Sequence, residues 1–218
     1  MARNKFEQEL TRLKTDLRSM SELTQKNLSD ALDALRRRDM KLSSEVIKKD
    51  EEEIDIIYRE IEERCVLCIA LHQPVAGDLR FLSTAMSVAS NLERIGDYAK
   101  DIAMIVPYII NENPLDDIEE TLQKMSDICV LMTKHAMDSF IDKDKSYVEG
   151  VSIDEEKVDS LYGSIFPKLN ERMSANKDNS TIVLNLLLAS RCLERIGDHA
   201  LNISKRSMFV ISGAWKYL

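Results

Sequence analysis

Leu92-Glu93-Arg94-Ile95-Gly96-Asp97 and Leu193-Glu194-Arg195-Ile196-Gly197-Asp198 are the same six residues, met twice in a chain of 218. Two further stretches also recur. Ala31-Leu32-Asp33-Ala34-Leu35 resembles Ala136-Met137-Asp138-Ser139-Phe140, and Asp50-Glu51-Glu52-Glu53-Ile54-Asp55 resembles Asp154-Glu155-Glu156-Lys157-Val158-Asp159. The offsets are 105, 104 and 101 residues (31 to 136, 50 to 154, 93 to 194), a drift that small loop differences explain. A repeat of about half the chain decides the architecture: the molecule is two copies of one unit. The units are residues 1–112 and 113–218, with the boundary near Glu112-Asn113.

The unit is helical. Phe6, Leu10, Leu13, Leu17 and Met20 step by three and four, and Leu28, Leu32 and Leu35 continue the stripe. Similar stripes run through Ile47, Glu51, Ile54, Tyr58, Ile61 and Cys65, and through Leu82, Met86, Ala89, Ile95, Ala99, Ile102 and Val106. The second half repeats them in Leu115, Ile118, Leu122, Met125, Cys129 and Met132, then Val151, Glu155, Val158, Tyr162, Ile165 and Leu169, then Ile182, Leu186, Ala189, Leu193, Ile196, Ala200 and Ile203. This period predicts six amphipathic helices, each about 30 residues or ~45 Å long. Polar turns are expected at Arg38-Asp39, His72 to Asp78, Asp142 to Asp144 and Asn176 to Ser180. Asn113-Pro114 reads as an N-cap with Pro at the first helical position, and Pro74 is placed to open the helix after its own turn. Short turns make successive helices antiparallel neighbours, so the fold class is all-α: six long helices in two similar three-helix bundles.

Composition agrees. Six glycines, four prolines and 6 % aromatics are too few for a turn-rich β fold, and 31 % charged with 44 % apolar residues suits long amphipathic helices. The net charge of −8 argues against nucleic acid as a partner by simple electrostatics. Cys65, Cys68, Cys129 and Cys192 lie within apolar stripes and read as reduced thiols packed as small hydrophobes. The N-terminus has no apolar signal core, and Ile102 to Ile110 is too short to span a bilayer. A soluble, cytoplasmic protein is expected, with no direct insertion into a membrane.

The chemistry lies in the acids that repeat. Glu51/Asp55, Glu93/Asp97, Glu155/Asp159 and Glu194/Asp198 are all spaced by four, so each pair shares one helix face. Asp101 extends the third helix's row by another turn, as Asn202 extends the sixth. Glu51 and Glu155 stand where the stripe calls for an apolar residue, and the other two pairs border theirs. Paired acids beside an apolar seam need cations, from Arg94 and Arg195 or from metal. Oxygen-only donors favour magnesium, manganese, calcium or iron over a structural zinc site. Gly96 and Gly197 interrupt helices, at a cost of about 1 kcal/mol each relative to Ala, where removing a side chain lets a neighbouring helix come close. No His-x-x-x-His or Glu-x-x-His pair exists, and His199 reads as a packing or surface histidine. Arg36-Arg37-Arg38 reads as a solvated helix end.

The twin Leu-Glu-Arg-Ile-Gly-Asp motifs, Gln73-Pro74-Val75-Ala76-Gly77-Asp78-Leu79-Arg80 and the duplicated acidic stretches together resemble the PhoU family, regulators of phosphate uptake, from about Phe6 to Ile211. The resemblance implies pseudo-twofold symmetry between the bundles and clusters of metal ions, with iron, zinc, manganese and magnesium as candidates. Carried over, one site comprises Glu51, Asp55, Glu93, Asp97 and Asp101, and the other Glu155, Asp159, Glu194 and Asp198 with Asn202. Asn202 is neutral where Asp101 is charged, which implies unequal sites. The resemblance also implies a non-enzymatic cytoplasmic adaptor. It would restrain the phosphate-specific ABC transporter through its ATPase subunit and hold the phosphate-sensing histidine kinase off. A homodimer is a further candidate partner. Two alternatives stand beside this reading: a metal-dependent phosphohydrolase, disfavoured by the lack of an evident nucleophile or oxyanion donor, and a PhoU-type domain regulating another transporter.

Overall fold

The apolar stripes become rods packed side by side. The structure, a computed structural model, describes residues 2–213; the last five residues of the second repeat lie outside the described residues. Helix α1 spans Ala2–Arg37, α2 Met40–Lys49, α3 Asp55–His72, α4 Ala76–Ile109, α5 Asp116–Asp142, α6 Ser146–Ala175 and α7 Ser180–Ser212. A π-turn, Asp50–Ile54, joins α2 to α3 without a break, since Lys49, Ile54 and Asp55 all keep right-handed helical backbone. The second expected helix is therefore one rod, and the described residues form six long rods. There are no strands among the described residues.

The turns fall where polar residues were expected. Arg38 takes a left-handed φ of 54° after α1, and Asp39 then caps α2 by accepting from the backbone N–H groups of Lys41 and Leu42. Lys143 turns left-handed after α5, and Asp144 accepts from the Ser146 N–H. Two helix starts differ from the expectation. α5 begins at Asp116 with Leu115 at the cap position, not Asn113, because the Glu119 carboxylate reaches back to the Leu115 N–H and supplies the capping bond. Pro74 opens no helix: Gln73 is left-handed, Val75 extended, and α4 starts at Ala76.

α1, the α2–α3 rod and α4 make one three-helix bundle; α5, α6 and α7 make the other. The bundles meet mainly along α4 against α7 and α1 against α5, and one continuous apolar core runs through both. Tyr98 and His199 occupy equivalent positions in the two repeats and touch each other, with ring centroids 5.8 Å apart. Equivalent residues meet in this way only on a twofold axis. The pseudo-twofold therefore passes between α4 and α7, beside both copies of the repeated hexapeptide.

Candidate functional site

In the first repeat the face of α4 that carries Glu93 and Asp97 looks onto the π-turn. The wider turn closes a bond from the Asp55 N–H to the Asp50 carbonyl, five residues back. It directs Asp50, not Glu51, into the bundle. Asp50 is fully buried, on the same line as Val46 and Ile54, and Glu51 is exposed. The stripe position assigned to Glu51 thus belongs to its neighbour. Gly96 makes room for this: a Cβ there would stand 2.6 Å from Asp50 Oδ1 and 3.2 Å from two carbons of Ile54.

Lys100, one turn further along α4, donates to Asp50 Oδ2 at 2.6 Å and to Asp97 Oδ1 at 3.1 Å. The exposed Arg94 reaches Asp97 Oδ2 at 3.0 Å and Glu93 at 3.4 Å. The acids still feel one another. Burial pushes the Glu93 carboxyl above its ordinary pKa, and Asp97, Asp55 and Asp50 add to the rise while Arg94 opposes it. Asp50 is raised by burial, against the pull of Lys100. Asp101 is raised by burial and Asp97. Asp50 Oδ1 has no hydrogen-bond partner despite its burial.

The second repeat builds the same pairs without the buried acid. α6 is regular, and a Cβ on Gly197 would meet Val158 at 3.5 Å, an ordinary contact. Asp154, the counterpart of Asp50, pairs along its own helix with the exposed Lys157 at 2.7 Å. Burial raises Glu155, with Asp159 and then Asp198 adding to it, and raises Glu194, with Asp198 and Asp159 adding. Glu155, Asp159, Glu194 and Asp198 therefore share one field across α6 and α7. The cation in contact with them lies towards solvent, Arg195 reaching Asp198 at 3.2 Å and Glu194 at 3.4 Å, while the half-buried Lys205 opposes the rise of Glu155. Leu201 stands where the first repeat has Lys100, and Asn202, opposite Asp101 in the repeat, is exposed.

The structure thus brings Asp55, Glu93 and Asp97 together in one half and Glu155, Asp159, Glu194 and Asp198 in the other; it leaves Glu51, Asp101 and Asn202 on the outside. The donor chemistry fits a hard cation, being carboxylate oxygens from two facing helices that raise each other's pKa. Among the described residues, however, no group of three or more His, Cys, Asp or Glu is arranged as it stands to hold a metal ion. In the first repeat Arg94 and Lys100 already engage Asp97, so a cation there would have to draw it from those partners. Asp50 and Lys100 are the residues that the sequence reading missed. The signal was available, since Asp50 opens the repeated acidic stretch, but a straight 3.6-residue helix puts the wrong member of it inwards.

Other expectations sort plainly. Cys65 and Cys129 are fully buried and Cys68 nearly so; burial raises the Cys65 and Cys192 thiols to about 12, as befits inert packing groups. Arg38 is not a solvated end. Its side chain is 12 % exposed and donates to both carboxylate oxygens of the buried Glu119, tying the α1–α2 turn to the start of α5.

Comparison with known proteins follows the repeat. A family model described as the PhoU domain matches the chain twice, over residues 17–106 and 122–207. The chain belongs to the PhoU family. A phosphate-specific transport system accessory protein PhoU homolog of Clostridium acetobutylicum is 33 % identical, over 98 % of this chain and 97 % of its own. A homolog of the same description from Methanothermobacter thermautotrophicus is 32 % identical, over 95 % and 94 %. The crystal structure of PhoU from Pseudomonas aeruginosa matches with a TM-score of 0.90 at 31 % identity, over 96 % of this chain and all of that one. The phosphate transport system regulatory protein PhoU from Streptococcus pneumoniae matches with a TM-score of 0.85 at 28 % identity, over 98 % and 100 %. PhoU relatives are thus accessory and regulatory proteins of phosphate transport, and no described helix of this PhoU chain is long and apolar enough to cross a membrane.

Proposed function

We propose that this protein is a cytoplasmic negative regulator of phosphate uptake and phosphate-starvation signalling. It acts without turnover, as a metal-binding adaptor between the ATPase subunit of the phosphate-specific ABC transporter and the phosphate-sensing histidine kinase. The observation that carries this reading is end-to-end similarity to phosphate transport accessory proteins, both repeats included. The acidic surface suits partners with basic patches, and such steering weakens as salt rises.

The halves 1–112 and 113–218 would each carry one set of candidate metal ligands. Asp55, Glu93 and Asp97, with Glu51 and Asp101 at the edge, would serve the first; Glu155, Asp159, Glu194 and Asp198, with Asn202 at the edge, would serve the second. The shared fields of these acids support that assignment. Iron, zinc, manganese or magnesium, when bound, would supply the positive charge that lets two acidic helices pack face to face. Because such a ligand binds the native state alone, its removal by a chelator should lower the melting temperature.

Deleting the gene is expected to leave phosphate-starvation genes on in phosphate-rich medium, and restoring it should switch them off. Pull-down from membranes should recover the ATPase subunit or the kinase. Normal repression in the deletion strain would refute the regulator. A phosphatase activity of the purified protein that tracks complementation would favour a metal-dependent hydrolase instead.

A further inference from the structure

The two acidic clusters differ in one cation. In the first repeat an ammonium sits inside the cluster: Lys100 Nζ lies 2.6 Å from Asp50 Oδ2 and 3.1 Å from Asp97 Oδ1, and its side chain is only 19 % exposed. Its counterpart in the second repeat is the buried Leu201. Of the second repeat's cations, Arg195 and Lys157 approach from solvent and are 44 % and 58 % exposed, and the half-buried Lys205 opposes the rise of Glu155 from the edge of the cluster.

We propose that Lys100 is a built-in counter-cation that substitutes for metal in the first repeat, so that divalent ions bind preferentially to Glu155, Asp159, Glu194 and Asp198 in the second. This rests on the metal-binding reading above.

Three observations carry it. First, the Asp50 side chain is 1 % exposed, so its negative charge cannot be left to water and needs a partner inside the bundle. Second, the backbone is shaped to bring that partner in: the π-turn aims Asp50 inwards, and Gly96 leaves the space that the carboxylate fills. Third, Lys100 bridges Asp50 to Asp97, an acid that would otherwise serve as a metal ligand. A dication entering the first cluster must either tolerate an ammonium against the same carboxylate or displace it from a charge that, among the described residues, has no other cation in contact. The second cluster imposes neither condition, because Asp154, 14 % exposed, is paired along its own helix with the solvent-facing Lys157, which does not bridge it to Asp198. The neutral Asn202 would by itself make the second site the weaker one. Asn202 is exposed at the rim, whereas Lys100 is central, so the central charge decides.

The test is a Mn2+ titration of the full chain, stripped with chelator, in which free Mn2+ is followed by electron paramagnetic resonance. Wild type should show one tight class of sites, lost in Asp198→Asn and retained in Asp97→Asn. Lys100→Gln, which keeps hydrogen-bond donors for Asp50 and Asp97 but removes the charge, should tighten a second class at least tenfold, and adding Asp97→Asn should abolish it. Circular dichroism melting establishes that each variant is folded. Should Lys100→Gln fail to fold, Leu201→Lys serves as the converse, with loss of the tight class expected. Two equal tight classes in wild type, each removed by its own aspartate variant, would overturn the role of Lys100. So would Lys100→Gln binding Mn2+ as wild type does. No binding of Mn2+, Fe2+ or Zn2+ at millimolar concentration in either protein would instead overturn the metal-binding reading itself.

Discussion

Gly96 and Gly197 occupy the same place in the same hexapeptide, yet one is required by its surroundings and the other is not. A methyl at Gly96 would collide with a buried carboxylate and a branched side chain; a methyl at Gly197 would rest in ordinary contact with Val158. Duplication copied the motif, and the facing helices then diverged. The first repeat has an inward aspartate, a π-turn to aim it and a lysine to neutralise it. The second has a half-buried aspartate paired with an exposed lysine of its own helix, an α-helical turn and a leucine. Identical residues in two repeats therefore do not imply identical sites, since what a motif does depends on what the opposite helix presents.

The largest expected effect tests that asymmetry at its centre. Asp50→Ala removes one partner of a buried pair and leaves Lys100 with Asp97 alone, so it should cost about 3 kcal/mol of unfolding free energy. Asp154→Ala breaks a pair whose cation, Lys157, is solvent-exposed and should cost no more than about 1 kcal/mol. Urea denaturation of both variants measures the contrast, and equal losses would break the comparison.

Next in size is the glycine pair. Gly96→Ala forces Asp50 and Ile54 to shift inside a packed core, an overpacking cost of about 2 kcal/mol. Gly197→Ala adds a methyl where space exists and should gain up to about 1 kcal/mol from helix propensity. Opposite signs from one substitution at equivalent positions are the expected outcome in paired melting curves. Destabilisation by both would mean that α6 packs on α7 as tightly as the π-turn packs on α4.

What could be read beforehand follows from the same physics. Apolar periodicity carries over long rods, so six helices and their order were legible from Leu13, Leu17 and Leu28 in α1 through to Ile196 and Ile203 in α7. The acid pairs on α4 and α7 were legible too, because residues four apart share a face on any regular helix. The rows on the facing helices were less so. A π-turn adds a residue to one turn and slides the phase, which put Asp50 inside and Glu51 outside. Lys100 was invisible because periodicity weighs apolar residues, whereas a lysine's flexible stem lets its charge turn inwards from a stripe's edge. Arg38 escaped for a similar reason: its left-handed backbone swings the side chain off the helix end onto Glu119.

A smaller effect probes what the repeats share. Glu93 and Glu194 are raised by burial first and by the aspartate four residues on second. A raised carboxyl pKa means that the native state holds the proton more tightly than the unfolded chain. The contribution to stability is then full below the ordinary glutamate value of 4.5 and is lost as pH rises through the higher folded value. In chelator, Glu93→Gln and Glu194→Gln should each stabilise the protein at pH 7, by about 0.5 kcal/mol for relief of one like-charge pair. The gain should vanish at pH 4. A gain in one repeat only would extend the asymmetry to the glutamates.

The smallest effect lies on the pseudo-twofold itself, where Tyr98 meets His199, two different residues at equivalent places in the repeats. His199 is half-buried, with Nδ1 2.9 Å from Asn91 Oδ1. Burial lowers its pKa; Asp198 beside it opposes the shift, and Arg94 and Arg195 reinforce it. A histidine depressed in the native state contributes stability that is full above its unfolded value of 6.5 and is lost as pH falls through the folded value. The raised glutamates act in the opposite sense, so the slope of wild-type stability mixes both. The difference between wild type and His199→Gln removes the glutamates, which the two proteins share, and leaves the histidine alone. That difference, from urea curves at pH 7.5, 6.5 and 5.5, should shrink in favour of the variant as pH falls. A constant difference would mean that His199 titrates as it does in the unfolded chain, and that the α4–α7 seam admits its charge as readily as Tyr98 admits none.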